Sequence, residues 1–356
     1  MSTKNPNRWP IAAAGCVMQV ALGAVYAWSV FRIPLTKAHG WTVSQVTLTF
    51  ELAILMLGFA SFAGGLWMKR VGPRTVAVTA GVCYGLGVML AGHVGDNLVL
   101  LYLSYGVLGG IGLGLGYIVP LATLIKWYPD KRGMIAGIAV AGFGAGALIT
   151  APLAEHLIAQ FGVSRTFTIL GLIYLLAVAG AGLLMRNPPD DYRPAGWQPQ
   201  ASQVGQQSGT PHTLKKALHS WQWYGLWSIL FLNSVAGISI ISQASLMAQE
   251  LTGASAVAAA GLVGIISIGN GAGRLLWAWF SDFAGRRRVF LMMFVTQAIV
   301  FGVLSRVHSF GVLTFLALLV LLCYGGGFGT MPAFAADFFG AQNVGPIYGL
   351  MLTAWG

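Results

Sequence analysis

Charge is what this sequence has least of. Asp, Glu, Lys and Arg together make up 8% of its 356 residues and only nine are acids, while 56% are hydrophobic and the mean hydropathy is +0.74. Water-soluble domains carry about 25% charged residues, so that class is excluded. Cysteine is scarce too: Cys16, Cys83 and Cys323 all fall inside apolar stretches, where they read as small packing residues and not as a disulfide framework. The six histidines (His39, His93, His156, His212, His219 and His308) lack metal-ligand spacing. There is no nucleotide motif, no nucleophile paired with a base and no room for a soluble catalytic domain, so neither an ATPase nor another enzyme is expected, and no cofactor.

What is present is apolar length. Stretches able to cross a hydrocarbon core of ~30 Å, which takes about 20 helical residues, recur at 11–35, 44–68, 75–94, 98–126, 133–157, 165–185, 221–249, 257–281, 289–306 and 310–336. An eleventh begins near Gly345 and is cut at Gly356. The expected fold class is therefore all-α integral membrane. The net charge of +11 does not indicate a nucleic-acid partner, because its distribution is that of a membrane protein: of 20 basic residues, 15 fall on one side, Arg32, Lys37, Arg165 and Arg306 fall on the other, and Arg274 lies within a span. The positive-inside rule then places the N-terminus in the cytoplasm of a multi-pass protein of the plasma (inner) membrane, in contact with the lipid bilayer and expected to be a monomer.

The longest polar stretch, from Met185 to Ser220, is rich in Pro, Gln and Ser and separates six spans from those that follow. The expected organisation is a six-helix bundle over 1–186, a cytoplasmic linker over 187–219 and a second bundle over 220–356. The halves are related by a shift of 212–213 residues: "GLWMKRVGPR" (Gly65 to Arg74) falls on "AWFSDFAGRR" (Ala278 to Arg287), and Pro120, Gly133 and Gly137 fall on Pro332, Gly345 and Gly349. Two parallel six-helix repeats form transporters that rock one half against the other around a midplane site. The same register predicts a twelfth span near 377–397, so the sequence reads as part of a longer chain, truncated within its eleventh helix.

Arg274 interrupts the eighth span, "GLVGIISIGNGAGRLLWAWFSD" (Gly261 to Asp282). Arginine at the centre of a membrane helix costs ~2.5–3.5 kcal/mol on insertion scales, so it calls for a partner or a task. Its planar fork of donors is the natural ligand for a carboxylate in a low-dielectric cavity. The alternative is that Arg274, ~12 Å deep by helical rise, snorkels to the membrane surface or pairs structurally. In the first span, Gly15, Gln19, Gly23 and Tyr26 share a helix face, where Gln19 and Tyr26 either line a wet cavity or make interhelical hydrogen bonds. "GGIGLGLGYIVP" (Gly109 to Pro120) lies within a span and lacks the Lys of a phosphate loop, so it reads as close packing before a bend, like "GGGFGTMP" (Gly325 to Pro332). Glu51, about two turns into the second span, is a buried carboxyl able to carry a proton or a residue reaching the interface. The basic turns (Gly65, Arg70, Gly72 and Arg74, and again Asp282, Gly285 and Arg286) are topology anchors or gating ion pairs.

"YAWSVF" (Tyr26 to Phe31), "KRVGPR" (Lys69 to Arg74), "KWYPDKRGMIAGI" (Lys126 to Ile138) and "SDFAGRRR" (Ser281 to Arg288), with the Arg274 segment, together resemble the oxalate/formate antiporter family of the major facilitator superfamily. The resemblance implies that fold, two six-helix bundles, and a carrier of small carboxylates whose eighth-helix arginine binds the anion while aromatics close the site. The matching positions are Arg274, Tyr26, Tyr117, Tyr324 and Phe328. Oxalate carriers of that family place a lysine in the eleventh helix, where this chain has Trp355. A dianion suits two cations, so one guanidinium with aromatic walls points to a monocarboxylate such as formate, lactate or pyruvate. Lys69 is a second departure, since the superfamily turn usually has an acid there.

The expected function is thus secondary active transport of a small carboxylate, by exchange or with a proton. The competing readings are a proton-driven exporter of amphipathic compounds, which calls for acids in a wide cavity, and a carboxylate-binding membrane sensor, which calls for an output domain larger than the linker.

Overall fold

In hydrocarbon every backbone polar group must be satisfied within the protein, which leaves helix as the solution for a chain of apolar runs. A computed structural model describes residues 7–128, 132–189, 192, 194, 214–339 and 344–356, and among them there is no strand. The helices are α1 (Trp9–Leu22), α2 (Trp28–His39), α3 (Val43–Ala91), α4 (Leu98–Leu101), α5 (Gly110–Trp127), α6 (Arg132–Gly182), α7 (Leu214–Leu218), α8 (Trp221–Thr252), α9 (Ala256–Ala284), α10 (Arg286–Leu304), α11 (Phe310–Phe339) and α12 (Val344–Met351). A 3-10 turn (Gly23–Ala27) joins α1 to α2, a π segment (Tyr102–Gly109) joins α4 to α5, and a 3-10 turn (Leu352–Ala354) follows α12.

Eight of these stretches are long and apolar enough to cross a membrane, among the described residues. Two are too long for one crossing: α3 has 49 residues and α6 has 51. Each is broken at one left-handed glycine, Gly72 (φ 80°) in α3 and Gly162 (φ 76°) in α6. Neighbour contacts show that the chain reverses at Gly72. Along α5, Gly110 and Gly114 touch Ala53 and Leu57 in ascending order, whereas Gly109 and Gly112 touch Gly87 and Tyr84 in descending order. The loops expected between spans two and three and between spans five and six are thus each a single-glycine reversal, because a positive φ turns the helix without spending further residues. At the other end of the linker, the expected second bundle is preceded by α7. Residues 195–213 of the linker lie outside the described residues.

The internal repeat extends to turn chemistry. Gly40 (φ 68°) ends α2 and Thr42 caps α3 by accepting from Gln45 N–H; Gly253 (φ 69°) ends α8 and Ser255 caps α9 by accepting from Ala258 N–H. All three pairs are separated by 213 residues. Gly72 and Gly285 (φ 84°) are a further such pair. The repeated turns define two ends of the bundle, one marked by Gly40 and Gly253 and the other by Gly72 and Gly285.

α1, α3, α5 and α6 pack on one another, as do α8, α9, α10 and α11. Among the described residues, three of the seams along which the sets meet matter most here. One is α6 on α9, where Gly144 lies against Gly271 backbone to backbone. Another is α2 on α8, and the third is the segment after α12 on α3, where Leu352 carbonyl reaches Gly58. Within the second set, α9 and α11 are in backbone contact at Gly273, Gly325 and Gly329, each of which has a carbonyl of the other helix where a Cβ would stand. This fixes the height and rotation of Arg274.

A Cβ at Gly273 would sit 2.0 Å from Leu322 O, whereas one at Gly302 meets nothing within 4 Å. Gly273→Ala is expected to destabilise the solubilised protein by about 1–3 kcal/mol, read as a lower melting temperature, while Gly302→Ala leaves it unchanged or slightly higher. Equal melting of the two variants would contradict the α9–α11 contact.

Candidate functional site

Arg274 projects from α9 into the space between the halves and is fully buried. Snorkelling toward a membrane surface is therefore not its arrangement. Its Nε donates to Asn270 Oδ1 (3.3 Å), one turn earlier on the same helix, and its Nη2 to Tyr26 OH (3.5 Å) in the 3-10 turn of the first span. Nη1 is buried and has no hydrogen-bond partner among the described residues. Among the described residues the charged or titratable groups around the guanidinium are tyrosines (Tyr117, Tyr26, Tyr324 and Tyr348), with no carboxylate.

Aromatic rings complete the enclosure. Tyr26 OH and Tyr324 OH are 2.8 Å apart, joining the two halves directly. The guanidinium lies 5.3 Å from the Phe328 ring centre and 5.7 Å from that of Phe143, within cation–π range. Trp355 packs on Phe328 (4.7 Å), Tyr117 (5.4 Å), Phe143 (5.6 Å) and Tyr26 (6.4 Å). Trp355 is the most exposed of these residues at 4%, so the site is closed to solvent.

Two amides hold the tyrosines in place. Gln19 Nε2 donates to Tyr117 O (3.1 Å), so Gln19 makes an interhelical hydrogen bond on the first-half side. On the other side Asn233 Nδ2 donates to Tyr324 O (3.0 Å) while its Oδ1 accepts from Gln297 Nε2 (3.3 Å). Space for the Tyr324 ring exists because residue 237 of α8 is glycine, whose Cβ would fall 2.0 Å from Tyr324 Cδ2.

The structure thus brings together Arg274, Tyr26, Tyr117, Tyr324, Phe328 and Trp355, with Gln19 behind them. It does not bring Glu51 to them. Of the two alternatives for Glu51, a buried proton carrier is not what the described residues show: Phe50, Ala53, Ile54 and Leu57 form the inward stripe of α3, and Glu51 is exposed, as a residue reaching the interface would be. The basic turns also lie apart from the site. Gly65 and Gly72 are half-buried, and Arg70 and Arg74 are exposed. Arg286, following Gly285, pairs with Asp337 of α11 (Nε–Oδ2 3.5 Å) and donates to Ser281 Oγ. The Asp282 side chain lies outside the described residues. Trp127 of the "KWYP" stretch tethers the end of α5, donating from Nε1 to Arg186 O (2.7 Å).

Sequence reasoning missed Phe143, Asn270, Tyr348, Asn233 and Gln297. For Phe143 a signal existed: it and Trp355 differ by 212 residues, the register of the Pro120–Pro332 match, and their rings meet across the halves.

The Major Facilitator Superfamily pattern matches residues 13–356. The MFS-type transporter YhjX of Escherichia coli strain K12 is 32% identical over 98% of this chain and 85% of its own length. The oxalate:formate antiporter of Oxalobacter formigenes is 26% identical over 98% of this chain and 81% of its own. Among solved structures, the D-xylose–proton symporter superposes with a TM-score of 0.68 at 16% identity, covering 98% of this chain and 87% of that one; at that identity the likeness is one of fold.

Asn233→Ala removes the donor to Tyr324 O and strands Gln297 Nε2. The expected loss is about 1–3 kcal/mol, seen as a lower melting temperature. Asn233→Leu combined with Gln297→Leu, which removes both polar partners, is expected to recover most of it. A double variant no more stable than Asn233→Ala would show that the bracket is not the source of the loss.

Proposed function

Since the chain belongs to the Major Facilitator Superfamily and is a transporter of that fold, we propose that it carries small monocarboxylates by alternating access, with Arg274 as the central anion ligand. The observation that carries this reading is a fully buried guanidinium whose partners among the described residues are all neutral and whose Nη1 has none among them. Burying an unpaired charge costs several kcal/mol, and an anion on the guanidinium offsets it. A carboxylate on the Nη1–Nη2 edge makes two parallel charge-assisted hydrogen bonds, and Tyr26 OH, already beside Nη2, is placed to donate to the same group. Phe143, Phe328 and Trp355 provide an apolar wall for a hydrogen or methyl substituent and exclude water, which strengthens the charge pairing.

The same residues link binding to movement. Tyr26 belongs to the first half, Arg274 and Tyr324 to the second, so an anion held by all three favours the closed state in which the halves meet. Release then requires the halves to part on one side or the other. The bundle over 1–186, the linker over 187–219 and the bundle over 220–356 are the bodies that rock. The bias of basic residues supports a plasma-membrane protein with its N-terminus, and hence the Gly72 end, in the cytoplasm.

A second reading, oxalate exchanged for formate, is favoured by the identity to the oxalate:formate antiporter over nearly the whole chain. Trp355 argues against it, because it stands where the second cation for a dianion belongs. Export of amphipathic compounds fits poorly with an enclosed cationic site, and proton coupling through Glu51 draws no support from its exposed position.

Counterflow of labelled formate, lactate, pyruvate and oxalate into proteoliposomes is expected to show saturable uptake of at least one monocarboxylate. Arg274→Gln should reduce it to background, and Trp355→Lys should raise oxalate relative to formate by roughly tenfold, the worth of ~1.4 kcal/mol of added charge pairing. Folded wild-type protein that takes up none of the four acids would overturn the carboxylate reading.

A further inference from the structure

A second guanidinium is buried in this protein, and the site around Arg274 does not use it. Arg32, eight residues before the Gly40 turn, reads in the sequence as a topological charge at that end of the membrane. Instead its side chain is fully buried and crosses the seam between α2 and α8. Nη1 donates to Ser242 O (2.6 Å) and to the side-chain oxygen of Gln243. Both acceptors are neutral. Nε and Nη2 are buried and have no hydrogen-bond partner among the described residues. Glu51 and Glu250 are the acids acting on Arg32 at longer range, and neither forms an ion pair with it among the described residues.

The choice of satisfied and unsatisfied atoms is informative. On a guanidinium the Nε–H and one Nη2–H lie parallel on one edge, the fork that matches the two oxygens of a carboxylate. The latch to α8 occupies the remaining nitrogen. Arg32 is therefore arranged as a half-satisfied cation, fixed to the opposite half by one nitrogen and retaining an intact carboxylate fork on the other two.

We propose that the Nε–Nη2 edge of Arg32 is a docking site for the carboxylate on the Gly40 side of Arg274, latched to α8 while that side is shut. The proposal rests on the carboxylate-carrier reading and adds a second site to it. When the α2–α8 seam opens, Nη1 leaves Ser242 and Gln243, and an arriving anion replaces the lost hydrogen bonds. Tyr26, which touches Arg274, is six residues before Arg32 on the same span, or ~9 Å by helical rise. That is comparable to the Debye length of about 8–10 Å at physiological salt, so an anion leaving Arg32 already feels Arg274.

The test is sided counterflow in orientation-resolved proteoliposomes, with labelled formate, lactate, pyruvate and oxalate added to one side at a time. Arg32→Gln is expected to raise KM from the Gly40 side roughly tenfold or more, as loss of a charge-assisted fork implies, with KM from the Gly72 side unchanged. Arg32→Lys keeps the charge without the fork and should recover part of the loss. Gln243→Glu supplies a resident carboxylate that competes for Arg32, and should raise the same one-sided KM even if Arg32→Gln fails to fold. A KM that is unchanged, or raised equally from both sides, with only turnover reduced, would make Arg32 a bolt between helices and overturn the proposal alone. Wild-type protein carrying none of the four acids from either side would overturn the carrier reading and this proposal with it.

Discussion

The guanidinium of Arg274 sits at the meeting of the two halves among hydroxyls, an amide and ring faces, with no carboxylate among the described residues to neutralise it. A charge kept in that setting has to be held from several directions, since a small displacement would either expose it or leave more of its donors unsatisfied. Much of the architecture answers that demand. Glycines bring α9 against α11, Asn270 fixes the Nε end one turn back along α9, and Tyr26 reaches across from the other half.

The two halves support the centre by similar means. Gln19 on the first span grips the carbonyl of Tyr117, and Asn233 on the seventh grips the carbonyl of Tyr324. An amide donating to a backbone oxygen holds a helix at a set height without adding charge, which suits an environment where a second ionised group would be costly. The Gln297 contact makes the second bracket the stiffer of the two, and it lies in the half that carries the arginine.

Much of this was legible in the sequence. The spans came from apolar length, the duplication from the basic turns and the Pro120–Pro332 register, and Arg274 from the anomaly of a charge in an apolar helix. The aromatic positions Tyr26, Tyr117, Tyr324, Phe328 and Trp355 came from a family resemblance. What was not legible depends on partners far along the chain. Arg32 donates to a carbonyl 210 residues away, and backbone acceptors leave no trace in residue identity. Phe143 was hidden because an aromatic in an apolar helix is unremarkable until the facing helix is known, although the repeat register pointed to it. For Glu51 the sequence leaves a buried carboxyl and one reaching the interface both open, because depth along a span says nothing about which face a side chain occupies.

The seam between α6 and α9 has one more consequence. Where Gly144 lies on Gly271 backbone meets backbone, while farther along the same seam Leu275 packs on Gly137 and Leu148 on Gly264. A pivot of bare backbone flanked by a leucine on either side lets the helices tilt about Gly144–Gly271 once those two side chains re-seat. The halves are tied as well by Arg32 crossing to α8, by Leu352 meeting Gly58 along α3 and by the Tyr26–Tyr324 hydroxyl pair. A molecule built this way is stiff within each half and compliant about one axis, and that axis runs beside the charge the two halves enclose.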